Sequence, residues 1–221
     1  MNLQGFLFDL DGTLANTLPM CIKAYRYTFE HFLHRPFSDE EIVSYFGLNE
    51  EGTIRKVMPG HVEEGLQTYH KNYEQLHYEC QEPFAGMTDA LQLLRRRGVR
   101  MAVVTGKEAY TAELTLKYIG IDHYFDFAEV GDANAVVKMA AIGKILDAWQ
   151  IEPQHAAYIG DSAIDMTEAA AAGVLPLGAC WAPTATIHDL ISMQPYATFD
   201  STSAFIDWLA TNVEPQRVTK S

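Results

Sequence analysis

The sequence predicts an α/β fold: a parallel sheet with helices on both faces, interrupted early by an all-helical insert. Three observations carry this. Short apolar runs at Leu3 to Phe8, Met101 to Val104 and Ala156 to Gly160 have the length and continuity of strands buried on both faces. From Pro83 onward such runs alternate with helix-period segments, and that alternation implies a parallel sheet whose sites lie at the carboxyl ends of its strands. Between Leu14 and Pro83, by contrast, the pattern reads as about four helices with no clear strand. A doubly wound sheet does not need that many between its first two strands, and an inserted helical domain explains them.

The elements follow in order. Leu18, Ile22, Tyr25, Phe29, Phe32 and Leu33 are spaced for one face of a helix over 18–33. Ser38-Asp39-Glu40-Glu41 has the form of a capping box and should open a helix through Phe46, stopped by Gly47. Glu50 to Met58 reads as a short helix ended by Pro59-Gly60, and Val62 to Cys80 as a longer one. Pro83 to Met87 is a linker fixed by Pro and Gly. Helices are then expected over 87–97, 108–118, 139–149, 164–172 and 204–213, with strands over 100–105, 156–160 and 174–178. Residues 214–221 are expected to be a flexible tail.

The first run ends in two carboxylates, Asp9 and Asp11, followed by Gly12 and Thr13. Strand residues two apart face the same side, so both carboxylates point to one site if the strand geometry persists. Like charges at the end of a buried strand repel and are costly to desolvate, and a divalent cation relieves both problems. Thr105-Gly106-Lys107 places a hydroxyl, an accessible amide and a cation just after another strand, groups suited to phosphate oxygens. Lys138 opens a helix, where the N-terminus itself favours anions. Asp161 ends the strand at Ala156 to Gly160 and Asp165 follows four residues later, so both can converge on one site across the first helical turn. Oxygen ligands of this kind suit Mg²⁺.

Composition narrows the partners. The net charge of −13 argues against nucleic acid and anionic membranes, which need a basic footprint. Cys21, Cys80 and Cys180 are odd in number and widely spaced, suggesting neither a disulfide framework nor a zinc site and fitting a reducing, cytoplasmic setting. No signal peptide or membrane span is expected. A monomer or homodimer fits equally.

Asp9-Leu10-Asp11-Gly12-Thr13 resembles the nucleophile motif of the haloacid dehalogenase superfamily in its phosphatase branch, and phosphoglycolate phosphatase-like members in particular. Thr105, Lys138 and Gly160-Asp161 with Asp165 resemble its second, third and fourth motifs, in the right order; the small-residue stretch Ala169 to Gly173 also matches. The chain departs at Gly106, where relatives often carry Asn, at Met139, where Pro is usual, and at Asn16, where many carry Asp. The resemblance implies a Rossmann-like core (1–15 and 83–213) with a helical cap (16–82). It implies that Asp9 attacks phosphorus and Asp11 is the general acid and base. Thr105 and Lys138 would act with them in catalysis, and Gly106 and Lys107 would bind phosphate. Mg²⁺ would be held by Asp9, the Asp11 carbonyl and Asp161, supported by Asp165. In the cap Arg55, Lys56, Glu51 and Thr53 are candidate substrate contacts, Arg55 foremost. The expected activity is Mg²⁺-dependent hydrolysis of a small phosphorylated metabolite. A phosphosugar mutase is the nearest alternative; a receiver domain and a regulatory protein without catalysis are more distant ones. Phosphoglycolate, pyrophosphate, sugar phosphates and nucleoside monophosphates all remain open as substrates.

Overall fold

The computed structural model of the chain describes residues 1–185 and 187–216. Six strands form one sheet: β1 (Gly5–Phe8), β2 (Arg100–Val104), β3 (Phe127–Glu129), β4 (Ala156–Gly160), β5 (Leu175–Ala179) and β6 (Ala197–Phe199). Their order is β3-β2-β1-β4-β5-β6, with every pairing parallel. β1 is central, and the chain goes from it first to β2 on one side and later to β4 on the other. Its carboxyl end is therefore the point where strand order reverses, where open α/β sheets bind ligands.

Alternation along β1 divides the core. Phe6 and Phe8 enter an apolar cluster that runs on into the insert, while Leu7 enters a second cluster with Ala102, Val104, Ile145, Trp149 and Tyr158. Helices α5 (Met87–Arg96) and α10 (Thr202–Asn212) feed the first cluster and α7 (Lys138–Trp149) the second. Helices α6 (Ala109–Tyr118), α8 (Ala163–Ala171) and α9 (Ile187–Ser192) complete the core.

The insert holds α1 (Leu18–Leu33), α2 (Asp39–Val43), α3 (Glu50–Val57) and α4 (Val62–Leu76). α1 and α4 pack through aromatic rings, Tyr25 and Tyr69 lying 4.4 Å apart between centroids, and Asn72 donates to Thr28 across the pair at 3.1 Å. Ser38 caps α2 by accepting from Glu41 N–H, as its sequence suggests. The helix stops at Val43 rather than Phe46, because Tyr45 and Phe46 bond three residues back, to Ile42 and Val43, and tighten the last turn. α4 ends at Leu76 and gives way to a single 3₁₀ turn, His77–Glu79.

Three elements have no counterpart in the sequence reading: β3, β6 and α9. Both strands are three-residue edges, and β3 is partly exposed along its whole length, so neither carries the continuous apolar run of a buried strand. The 214–221 tail also needs correction in its first part. Glu214 N–H donates to Met1 O, Gln216 N–H to Arg97 O, and Gln216 Nε2 to Leu3 O at 2.8 Å, so 214–216 are anchored on the core; 217–221 lie outside the described residues. Among the described residues no helix is long and apolar enough to cross a membrane.

Candidate active site

The chain leaves β1 at Asp9, whose N–H donates to Ile159 O. It then winds tightly: the N–H groups of Thr13, Leu14 and Ala15 all turn to Leu10 O. Gly12 makes the turn possible at φ +74°, and a Cβ there would lie 2.0 Å from Asp161 Oδ2. Only glycine lets the Asp161 carboxylate pack against this backbone.

That winding gives the two opening carboxylates different surroundings. Asp9 is buried, and its Oδ1 lies 3.1 Å from Lys138 Nζ. The contact is off the hydrogen-bonding direction, and Oδ1 has no hydrogen-bond partner. Burial raises the Asp9 pKa, Lys138 opposes it, and Asp165 and Asp11 add to it, leaving the carboxyl at about 7. Asp11 faces the insert. Its Oδ1 accepts from the Thr17 hydroxyl, and its Oδ2 lies 3.6 Å from Lys107 Nζ.

Lys138 projects from the first residue of α7. Its ammonium also meets Asp165 Oδ1 and the Tyr158 hydroxyl, the latter at 3.2 Å. Burial opposes its charge, but Asp165 and Asp9 outweigh burial and hold its pKa above that of a free lysine. Asp165 is fully buried and saturated with donors. Its Oδ2 accepts from Ser162 N–H and Ser162 Oγ, closing a capping box on α8, and its Oδ1 accepts from Tyr158 at 2.9 Å and from Lys138. Burial alone would raise its pKa, yet Lys138, Ser162 and Tyr158 carry it below the usual carboxylate range. Asp161 takes the opposite course: burial, then the charges of Asp9 and Asp165, push its pKa well up.

Carboxylate oxygens of Asp9, Asp161 and Asp165 lie within 4.8 Å of one another. A divalent cation fits this cluster, because Asp9 Oδ1 is a buried oxygen without a donor and Asp161 is crowded by like charge. Asp165 belongs to the cluster by distance, but its oxygens are engaged. Its bonds to Ser162, Tyr158 and Lys138 fit the supporting part expected of it beside the cation, and they also orient the Lys138 ammonium.

Thr105, buried just beyond β2, accepts from Lys107 N–H at 3.3 Å, which leaves its hydroxyl proton for an oxygen in the cleft. Gly106 is exposed on the same rim. Lys107, expected on phosphate, is instead buried between core and insert. Its ammonium lies 3.4 Å from Glu50 Oε1, 3.4 Å from Cys21 Sγ and 4.4 Å from the Tyr73 ring centroid. Burial pushes the Cys21 thiol up to about 12, so it stays neutral and the counter-charges of Lys107 are Asp11 and Glu50.

The expected cap contacts fall outside the cleft lining. Arg55 bonds Asn134 at 3.0 Å and pairs with Glu51, Lys56 lies over the Tyr45 ring, and Thr53 is buried with its hydroxyl directed at Leu48 O. The insert's real contribution is the start of α3. Asn49 caps that helix and donates to Gly131 O at 3.3 Å. Glu50 accepts from Glu108 N–H at 2.6 Å and from Thr111 Oγ1 at 2.5 Å. In the sequence Glu50 is only the first residue of a helix; the cue to more was a carboxylate two residues after Leu48, beside an N-cap asparagine.

Between insert and sheet lies a cleft of about 270 Å³ with Asp9, Asp11, Thr105, Lys138 and Asp161 in its wall. The family model described as haloacid dehalogenase-like hydrolase matches residues 6–179, from β1 to the end of β5, spanning every one of these groups. The chain belongs to this family. Pyrophosphatase PpaX of Halalkalibacterium halodurans is 29% identical over 176 residues, covering 79% of this chain and 82% of the relative. Pyrophosphatase PpaX of Bacillus mycoides is 27% identical over 183 residues, covering 82% and 85%. Among solved structures, a haloacid dehalogenase-like hydrolase from Streptococcus pneumoniae superposes with a TM-score of 0.78 at 26% identity, covering 94% of this chain and 99% of that one. The family match runs through the insert as well as the core.

Proposed function

We propose that the protein is a Mg²⁺-dependent phosphatase that hydrolyses a small phosphorylated metabolite through a phosphorylated Asp9. The observation that carries this is Asp9 itself. It is a buried carboxylate with one oxygen free of hydrogen bonds, beside a fixed ammonium, at the carboxyl end of the central strand. Asp9 and Asp161, with the main-chain carbonyl of Asp11, would hold the cation. When bound, Mg²⁺ supplies charge neutralisation for the carboxylate and the phosphoryl oxygens.

Asp9 attacks phosphorus and forms an acyl phosphate as the ester oxygen leaves. Asp11, held apart from Asp9 by its bonds to Thr17 and Lys107, donates its proton to that oxygen and releases the alcohol. As a carboxylate it then takes a proton from water, and the hydroxide attacks phosphorus to free phosphate and regenerate Asp9. Lys138, the Thr105 hydroxyl and the Gly106 N–H stabilise charge on the transferring group; one preorganised donor of this kind is worth about 3 kcal/mol. The insert, docked through Asn49 and Glu50, excludes water. The names of the PpaX relatives support phosphate-bond hydrolysis.

The test is phosphate release from a panel of phosphorylated metabolites, with and without Mg²⁺. EDTA is expected to abolish turnover and Mg²⁺ to restore it, and Asp9→Asn to be inactive on every substrate. Full activity in thoroughly chelated protein overturns the metal assignment; activity of Asp9→Asn overturns the nucleophile.

A further inference from the structure

The cleft has two ends of different chemistry. At the sheet end stand Asp9, Thr105, Lys138 and Asp161, the groups assigned to the phosphoryl group and its cation. The insert's side of the wall is apolar and aromatic, with Leu18, Tyr25, Phe46 and Leu48, and the core adds Val136 and Ile164. What the insert end lacks is a cation to spare. Among the described residues the lining contains two ammonium groups, Lys107 and Lys138. Lys138 is bound to Asp9 and Asp165. Lys107 is bound to Asp11 and Glu50, and its side chain is 4% exposed. The lining also contains Asp132, a further carboxylate. Arg55 and Lys56, the nearby cations of α3, lie outside the lining and are engaged with Glu51, Asn134 and the Tyr45 ring.

A second anionic group on the substrate, such as a carboxylate or another phosphate, would enter this end facing Glu50, Asp11 and Asp132. It would lose its water and meet no free positive charge, which is the costly way to bury a charge. An uncharged group meets apolar surface that gains from being covered. One polar atom is also provided for. The Tyr69 side chain is fully buried and belongs to the lining, yet its hydroxyl has no hydrogen-bond partner, an unsatisfied state that a bound ligand can relieve.

We propose that the group esterified to phosphate in this protein's substrate is uncharged and largely apolar, with one polar atom that bonds the Tyr69 hydroxyl. The substrate class is therefore a phosphomonoester of a small neutral alcohol. Pyrophosphate and phosphoglycolate, which carry a second anion, are disfavoured even though relatives of this chain are named pyrophosphatases. The inference rests on the phosphatase reading above.

The experiment compares pairs that differ in the charge of the leaving group: phosphoglycolate against its neutral amide, and pyrophosphate against benzyl phosphate, all with Mg²⁺. Hydrolysis of nitrophenyl phosphate that disappears in Asp9→Asn first establishes the phosphatase; its absence defeats that reading and this inference with it. Given that activity, kcat/KM for each neutral member is expected to exceed its anionic partner by about tenfold or more. Glu50→Gln is expected to narrow the gap for the phosphoglycolate pair. Tyr69→Phe removes only the hydroxyl; it should raise KM for the amide severalfold more than for benzyl phosphate, which has no polar atom to bond it, and should not lower Tm, since the hydroxyl is unsatisfied in the free protein. An anionic member turned over as well as or better than its neutral partner overturns the inference and leaves the phosphatase standing. Where the Glu50 variant does not fold, the wild-type ratios decide alone.

Discussion

The ammonium of Lys107, two residues beyond Thr105 at the end of β2, lies 3.4 Å from the carboxylate of Glu50 at the start of insert helix α3. Both are almost wholly buried, at 4% and 3% side-chain exposure. The same ammonium lies 3.6 Å from Asp11. One cation thus joins the proposed acid and base to the element that closes the cleft.

Removing that cation strands two carboxylates in the interior. Lys107→Met should destabilise the protein by about 3–5 kcal/mol in urea denaturation, the range for breaking a buried pair from one side. Adding Glu50→Gln should recover part of the loss, since the stranded charge is then gone; the coupling in the double-mutant cycle should exceed about 1 kcal/mol. Strictly additive effects would mean that Lys107 and Glu50 do not sense each other.

Asp161 and Asp165 look equivalent in the sequence, but their surroundings differ. Asp165 accepts from Ser162, Tyr158 and Lys138, whereas Asp161 is crowded by Asp9 and Asp165. Asp161→Asn should weaken Mg²⁺ binding in calorimetric titration with little loss of stability. Asp165→Asn should cost about 2–3 kcal/mol of stability, the worth of hydrogen bonds to a charged group, with the smaller effect on Mg²⁺ affinity. The reverse pattern would make Asp165, not Asp161, the direct ligand of the cation.

The core was legible because its signals are local. A buried strand ending in Asp9 and another ending before Asp161 announce themselves by apolar runs, and both come to lie side by side in register, Phe8 opposite Ile159. Lys138, by itself one more lysine at a helix start, was legible only through the family resemblance, from its place between the second and fourth motifs. The insert's share of the cleft was not. Arg55 is a candidate contact by sequence, yet helical phase places it on Glu51 and Asn134. Glu50 and Lys107, 57 residues apart in the chain, become partners only through docking that no periodicity records. Tyr69 reads as one more core aromatic until its hydroxyl is found without a partner.

His77, in the 3₁₀ turn that ends the insert, lies in a buried hydrogen-bond chain. Its Nδ1 contacts Cys80 O at 3.2 Å and its Nε2 contacts Thr115 Oγ1 at 3.0 Å, and Thr115 in turn meets Tyr73. Nδ1 faces a carbonyl and so carries the proton; Nε2 then accepts from Thr115. Burial holds the ring's pKa below the ordinary 6.5. Above that value the ring is neutral in both states and its stabilisation is complete. As pH falls below it, the unfolded chain takes up a proton that the folded one refuses, so stability is lost until the folded pKa is passed. The stability advantage of wild type over His77→Gln should therefore shrink between about pH 7.5 and pH 5. A constant advantage over that interval would show that His77 titrates normally.

Asp11 offers the sharpest separation of roles, because Asp9 is asked to attack and Asp11 only to move protons. Asparagine keeps the shape of Asp11 and its contact with Thr17, so Asp11→Asn tests the proton alone. An alkyl phosphate leaves as a poor alkoxide and needs the acid, so its turnover should nearly vanish. A nitrophenyl phosphate leaves without help. The first half-reaction should then proceed and the second stall, since no base activates water. The expected record is a burst of about one nitrophenolate per active site, with acyl phosphate recovered on Asp9 after acid quench. Turnover of both esters at the wild-type rate would remove the acid–base role from Asp11. A label trapped on any residue other than Asp9 would remove the nucleophile as well, and with it the reason for the buried, unbonded oxygen beside Lys138.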